Sequence, residues 1–246
     1  YALGCVNGCL SELMIAAASG IGPGDEVIVP AYTWWAPAQT TLAANAMPII
    51  AEVDDTLNLD PADFEVKITK RTKAVWVVDM VGSQARMDEI MEIAEKRNVL
   101  VFEDVAQCVG GSYKGKRLGS IGNAGSFSLQ HSKVINTGEG GIVTTDDEEL
   151  LRRMLMFHDP SYKDFSVGTV KFREGEIPIT GINCRMNELV AAMALAQLPK
   201  MDMILRRARE NKRRVMKGIE GLGLVFRHIP DTEGEAAMNV TSFLPT

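Results

Sequence analysis

The chain has 246 residues, 46% of them hydrophobic and 24% charged, with a formal net charge of −6. That length supports one large α/β domain and part of a second, with a core buried without disulfides or metals. The acidic balance argues against an electrostatic nucleic-acid or anionic-membrane binder, which would carry a basic surplus.

No apolar run is long enough to span a bilayer, and no charged-then-apolar signal pattern is legible at the start. The chain starts at Tyr1, not Met, and closes on Thr241-Ser242-Phe243-Leu244-Pro245-Thr246. We expect a piece of a longer protein, lacking residues at both ends. Its four cysteines, Cys5, Cys9, Cys108 and Cys184, sit in apolar surroundings without a disulfide-like framework, which suits a reducing cytosol. The three histidines, His131, His158 and His228, form no HxH or HExxH pattern, so no protein metal site is expected.

Short apolar β-rich runs alternate with helical periods along the chain. The pattern predicts helix over 11–19, strand over 26–29, helix over 36–44, strand over 47–50, helix over 61–68 and strand over 74–78. It continues with helix over 87–96, strands over 100–102, 125–128 and 141–145, and helix over 148–156. This order implies a mostly parallel sheet between two helical layers. From Asn187 a longer helix runs to Leu198, broken at Pro199; a second runs over 203–219, and its Arg206-Arg207-Ala208-Arg209 stretch reads as a solvated face. We expect a large domain over residues 1–200, lacking its N-terminal part. Residues 201–246 then form a linker helix and the beginning of a truncated small domain.

Ligands of open α/β sheets sit beyond the carboxyl ends of the strands, and there the sequence is rich in chemistry. After 100–102 comes Glu103-Asp104-Val105-Ala106-Gln107. An acid at a strand end can cap the next turn or pair with a protonated heterocyclic nitrogen. After 125–128 comes Leu129-Gln130-His131-Ser132-Lys133, then Gly138-Glu139-Gly140-Gly141. A lysine between an apolar strand and a glycine cluster is poorly placed for an idle cation. The glycines match neither GxGxxG nor the phosphate loop of nucleotide-binding proteins. Lysine, carboxylate and phosphate-holding donors are what pyridoxal phosphate (PLP) chemistry requires.

The segments EDVAQ, GSFSLQHSK and GEGG resemble those of the DegT/StrS family, the sugar aminotransferases of PLP fold type I. Gly24-Asp25-Glu26-Val27-Ile28-Val29-Pro30 with Trp34, Tyr113-Lys114-Gly115-Lys116 with Gly119-Ser120-Ile121-Gly122, and Asn183-Cys184-Arg185-Met186 extend the resemblance over most of the chain. It implies the α/β fold of that class, with a seven-stranded type of sheet. It also assigns roles. Lys133 would hold the cofactor as a Schiff base and shuttle protons. Asp104 would pair with the pyridine nitrogen, Gln107 would lie near the phenolic oxygen and Trp34 would stack on the ring, leaving Trp35 to core packing. Ser128 and the backbone at Gly8 and Cys9 would hold the phosphate. Asn183 would reach the phosphate of a neighbouring subunit's cofactor, making the enzyme at least a homodimer; without the family it reads equally well as a turn residue. Arg185 is assigned to a carboxylate of the amino donor.

The family has Gly-Thr or Gly-Ser where this chain has Gly8-Cys9, and a thiol is a poor substitute for a hydroxyl. Relatives with histidine at the Schiff-base position act as dehydratases; Lys133 favours transamination. The expected reaction is ping-pong transfer from glutamate or glutamine to a keto-sugar, often nucleotide-linked. Gln130 resembles the branch of scyllo-inosose aminotransferases and aminohydroxybenzoate synthases, which keeps a keto-cyclitol acceptor open. Two other classes also stay open: a nucleotide-binding, dehydrogenase-like protein, and a non-catalytic PLP-fold regulator or partner subunit.

Overall fold

The run Thr72-Lys73-Ala74-Val75-Trp76-Val77-Val78 carries apolar residues on both faces, as a strand covered on both sides must. It forms a central strand of the computed structural model, which describes residues 1–160, 163 and 166–243. In chain order come β1 (Ala2–Cys5), α1 (Gly8–Ala18), β2 (Glu26–Pro30), α2 (Ala36–Ala43), β3 (Met47–Ala51), α3 (Pro61–Lys67) and β4 (Thr72–Val78). There follow α4 (Met87–Arg97), β5 (Leu100–Asp104), β6 (Ser112–Tyr113), β7 (Lys116–Arg117), β8 (Ala124–Ser128), β9 (Gly141–Thr144) and α5 (Glu148–His158). The chain continues with β10 (Ser166–Val167), β11 (Val170–Lys171), α6 (Glu188–Gln197), α7 (Met201–Gly218), β12 (Val225–Phe226) and β13 (Ser242–Phe243).

Seven strands form one sheet in the order β1-β9-β8-β5-β4-β2-β3. The five from β8 to β3 are parallel, while β9 runs antiparallel to β8 and β1 antiparallel to β9. The expected α/β class and mostly parallel sheet are therefore present, and the main predicted elements fall within a few residues of their places. Strand β1 was not foreseen: its four residues include Gly4, and only the pairing of Ala2–Cys5 with β9 defines it. Pro48 is tolerated because β3 is an edge strand.

Strand alternation splits the core in two. Ala74, Trp76 and Phe102 face α1 and α5, packing with Met14, Ile15, Leu151 and Met154. Val75, Val77 and Val101 face α3 and α4, packing with Phe64, Met87 and Ile90. Trp76 and Phe102 are register partners with ring centroids 5.2 Å apart. Burial of each such side chain contributes about 1.5–3 kcal/mol.

Local signals set the helix ends. Asp60 caps α3 before Pro61, Asp147 caps α5, and Asn187 caps α6 by accepting from Val190 N–H at 3.0 Å. Helix α4 carries Asp88 and Glu89 in its first turn, Lys96 and Arg97 in its last, and stops at Asn98 in the left-handed region. After α7 the chain returns to the sheet. Arg227 Nη1 donates to Met80 O at 2.8 Å, and Ala236 N–H donates to Gly82 O at 2.9 Å.

Candidate active site

Gly8, Cys9, Asp104, Ser128 and Lys133 come together at one end of the sheet, where β5 and β8 finish and α1 begins. Asn7 has extended backbone, and its side-chain oxygen accepts from Leu10 N–H at 2.9 Å, opening α1 at Gly8. A Cβ added to Gly8 would stand 3.0 Å from Ser128 Cβ, so the helix start lies against the end of β8. Gly141 is held as closely, since an added Cβ would meet the Asn7 carbonyl at 2.4 Å. The glycine cluster thus permits close backbone approach. Ser11 Oγ lies 2.5 Å from Ser126 Oγ, tying α1 to β8 beneath this floor.

Lys133 sits on a loop folded back on itself. Leu129 N–H donates to Gly140 O at 2.8 Å, His131 N–H to Gly138 O at 3.0 Å, and Lys133 N–H to Gln130 O at 2.9 Å. Gln130 Oε1 accepts from Ser132 N–H at 2.9 Å and Ser132 Oγ at 2.6 Å, and its Nε2 lies 2.6 Å from His131 Nδ1. The Gln130 amide is therefore spent inside the lysine loop, which it stiffens.

The two acids of β5 divide the readings offered for one. Glu103 is fully buried and accepts from Gly119 N–H at 2.8 Å and from Ile121 and Gly122 N–H at 2.7 Å. That is the structural role. Asp104 is 3% exposed and accepts from Ala106 N–H at 2.9 Å. Burial raises its carboxyl above the usual range, against the Ala106 N–H, the positive charge of Lys133 and a hydrogen bond from Glu12. Gln107 Oε1 accepts from Val81 N–H at 2.9 Å, so the donor end of its amide points the other way. Val81 is a β-branched residue at φ 57°, a strained conformation beside the site.

Trp34 and Trp35 are 58% and 63% exposed and meet edge to face at 5.8 Å. Core packing of Trp35 is thereby corrected: α2 begins just after it and turns its ring outward. Cys9 is exposed, unlike the other three cysteines. Its thiol is pushed up, first by lost solvation around the sulfur and then by the Glu12 and Asp104 charges, so it stays protonated. Asn183 is exposed, and its Oδ1 accepts from Arg185 N–H at 3.2 Å. Arg185 Nη1 pairs with buried Asp159 at 2.9 Å. The residue passed over in sequence was Glu12, 2% exposed in the interior of α1. A carboxylate inside the apolar stretch Leu10-Ser11-Glu12-Leu13-Met14-Ile15 was the available signal.

PLP fits this donor set: a buried carboxylate within the field of a loop lysine, and a helix start packed through glycine against the end of the lysine strand. A mostly parallel sheet with this site at its carboxyl end is the fold of the type I PLP-dependent enzymes. The chain belongs to the DegT/DnrJ/EryC1/StrS aminotransferase family, whose sequence pattern matches residues 1–246.

Among similar proteins, the GDP-perosamine synthase of Caulobacter vibrioides is 41% identical over 203 residues, 82% of this chain and 53% of that one. The L-glutamine:2-deoxy-scyllo-inosose aminotransferase of Streptomyces paromomycinus is 40% identical over 209 residues, 83% of this chain and 49% of that one. The solved E. coli GDP-4-keto-6-deoxy-D-mannose-3-dehydratase with bound hydrated PLP superposes with a TM-score of 0.89. It is 25% identical, covering 100% of this chain and 67% of that one. The chain spans about half the length of these two curated relatives. Among the described residues no helix is long and apolar enough to cross a membrane, and no three potential metal ligands cluster.

Proposed function

We propose that this chain carries the cofactor site of a PLP-dependent aminotransferase that moves an amino group from glutamate or glutamine to a keto-sugar, nucleotide-linked in the favoured reading. The observation that carries this is Lys133, presented by a braced loop within the field of a buried Asp104. Bound PLP supplies an electron sink for the bond broken at the substrate Cα. Lys133 moves the proton at that carbon. Asp104 holds the proton on the ring nitrogen, and the donor end of Gln107 meets the phenolic oxygen. Ser128 Oγ and the N–H groups of Gly8 and Cys9 hold the phosphate, the thiol of Cys9 adding little. Trp34 covers the ring and limits water.

Residues 1–200 are taken as the cofactor domain and 201–246 as the linker and beginning of a second domain; 244–246 lie outside the described residues. A homodimer with shared sites is supported by exposed Asn183 and by the apolar surface of Trp35, Leu189 and Leu195. Arg185 would have to leave Asp159 to take a donor carboxylate, and Gln130 would contact the acceptor only by leaving its loop bonds. Buried free Cys5, Cys108 and Cys184 support a reducing, cytoplasmic setting. A keto-cyclitol acceptor is the second reading, favoured by the 40% identity to a scyllo-inosose aminotransferase.

The test is an absorbance spectrum of the purified protein with PLP, before and after glutamate or glutamine, beside Lys133→Ala. A visible band that bleaches with a donor, and is missing in the variant, is expected. A band that no donor changes overturns transamination. No band in folded wild type overturns Lys133 as the cofactor lysine.

A further inference from the structure

The turn that follows β4 begins beside Asp104: Val78, the last residue of β4, is its register partner, and Asp79 N–H donates to Asp104 O at 3.0 Å. Groups from far along the chain hold this turn. Met80 N–H donates to Asn58 Oδ1 at 2.9 Å, and Ala236 N–H donates to Gly82 O at 2.9 Å. Between them stands the peptide joining Met80 to Val81, whose two ends have different partners. Arg227 Nη1 donates to the Met80 oxygen at 2.8 Å, and the Val81 N–H donates to Gln107 Oε1 at 2.9 Å. A peptide is planar, so fixing its oxygen fixes its N–H. Val81 sits at φ 57°, which a β-branched side chain disfavours, and turning this peptide over is the local way to relieve it. Arg227 opposes that rotation. It is 6% exposed, and its Nη2 donates to Thr56 O, so both of its acceptors are backbone carbonyls. Burying a cation costs solvation, and here it is spent on hydrogen bonds stronger than a neutral donor makes.

We propose that Arg227 is a positioning residue for the cofactor site: it locks the Met80–Val81 peptide, whose N–H takes the oxygen of the Gln107 amide and leaves the amide's NH2 for the phenolic oxygen of PLP. A side-chain amide meets an N–H only with its oxygen, so this one backbone donor decides which end of Gln107 faces the site. The inference rests on the role proposed for Gln107 above. Arg227 acts through the peptide and Gln107, and it ties the segment after α7 to the cofactor end of the sheet. Without its fork, the peptide is free to turn, Val81 relaxes, and Gln107 loses the contact that sets its direction.

The test compares wild type with Arg227→Met, which keeps the stem and removes the donors, Arg227→Lys, which keeps the charge without the fork, and Gln107→Leu. In cofactor-free protein, hydrogen exchange over residues 80–82 should be faster in R227M by about tenfold or more, the worth of a hydrogen bond from a charged group. With PLP bound, the pH midpoint of its visible band reports the hydrogen bond to the phenolic oxygen, because a donor there favours the ionised form. Loss of that donor in Q107L should raise the midpoint by about one unit. R227M should raise it by about half a unit or more, since a misaimed hydrogen bond is weakened. R227K should raise it by less, and R227M/Q107L no further than Q107L alone. A general loosening of the fold would weaken PLP binding without this dependence on Gln107. Unchanged exchange over 80–82, an unmoved midpoint in R227M, or a shift that adds in full to that of Q107L each overturns the proposal. If R227M fails to fold, R227K, alone and with Q107L, is held to the same three comparisons. Because exchange is read without cofactor, failure of wild type to bind PLP marks failure of the site assignment, while the exchange result still decides the lock on the peptide.

Discussion

In β5 the pleat sends Glu103 and Asp104 to opposite faces of the sheet, and burial raises both carboxyls. Their partners differ. Glu103 satisfies three backbone N–H groups of the 119–122 loop; Asp104 satisfies one, at Ala106. Each buried N–H left without an acceptor costs about 1–3 kcal/mol. Glu103→Ala should therefore lower the unfolding free energy by about 3 kcal/mol or more in urea titration. Asp104→Asn should leave stability nearly unchanged but slow amino transfer about a hundredfold or more, because a charge aimed at the developing reaction is lost. If the two variants swapped effects, the division of labour drawn from the hydrogen bonds would be wrong.

At the scale of elements, α1 is the piece on which cofactor binding depends. Its start is fixed by Asn7, its floor by Gly141, and its inner face by the Ser11–Ser126 contact. Asn7→Ala should cost about 1 kcal/mol from the lost cap and weaken PLP binding with it. Asn7→Asp should keep the cap and the melting temperature yet still weaken PLP, since it sets a negative charge beside the phosphate. Thermal melts and PLP titrations of the two variants separate cap from charge; equal affinities would show that the phosphate lies elsewhere. The helix was legible from its apolar period, but its start at Gly8 and the cap by Asn7 were not. The depth of Glu12 was not, because helical period alone does not say which neighbour closes over a side chain.

Over the whole molecule, burial lifts Glu12, Asp79, Glu103 and Asp104 above their ordinary values. A carboxyl with a raised folded pKa contributes stability that is fully present below its unfolded value, near about 4. That contribution is lost as pH rises through the folded value. Buried His158, held below its usual value, works the other way, as do Glu26 and Glu92, whose lowered carboxyls titrate below this range. Protein without cofactor should therefore melt at a higher temperature near pH ~5.5 than near pH ~8, measured by calorimetry, and PLP should narrow the gap by fixing the charge of Asp104. A melting temperature that rises steadily with pH would mean these carboxyls are ionised in the fold.

The sequence by itself determined the alternation of strand and helix and the order of EDVAQ, the lysine strand and the glycine cluster. These follow from local periodicity, turn chemistry and motif spacing, which need no knowledge of what packs against what. Only the tertiary structure decided that Ala2–Cys5 closes the sheet edge against β9. It alone turned Trp35 to the surface, spent Gln130 and Arg185 on neighbouring side chains, and buried Glu12 against Thr40. The physical reason is range. A cap or a strand period is written within a few residues, whereas exposure and the burial of Glu12 against Thr40, 28 residues away, depend on which distant segments the fold brings into contact.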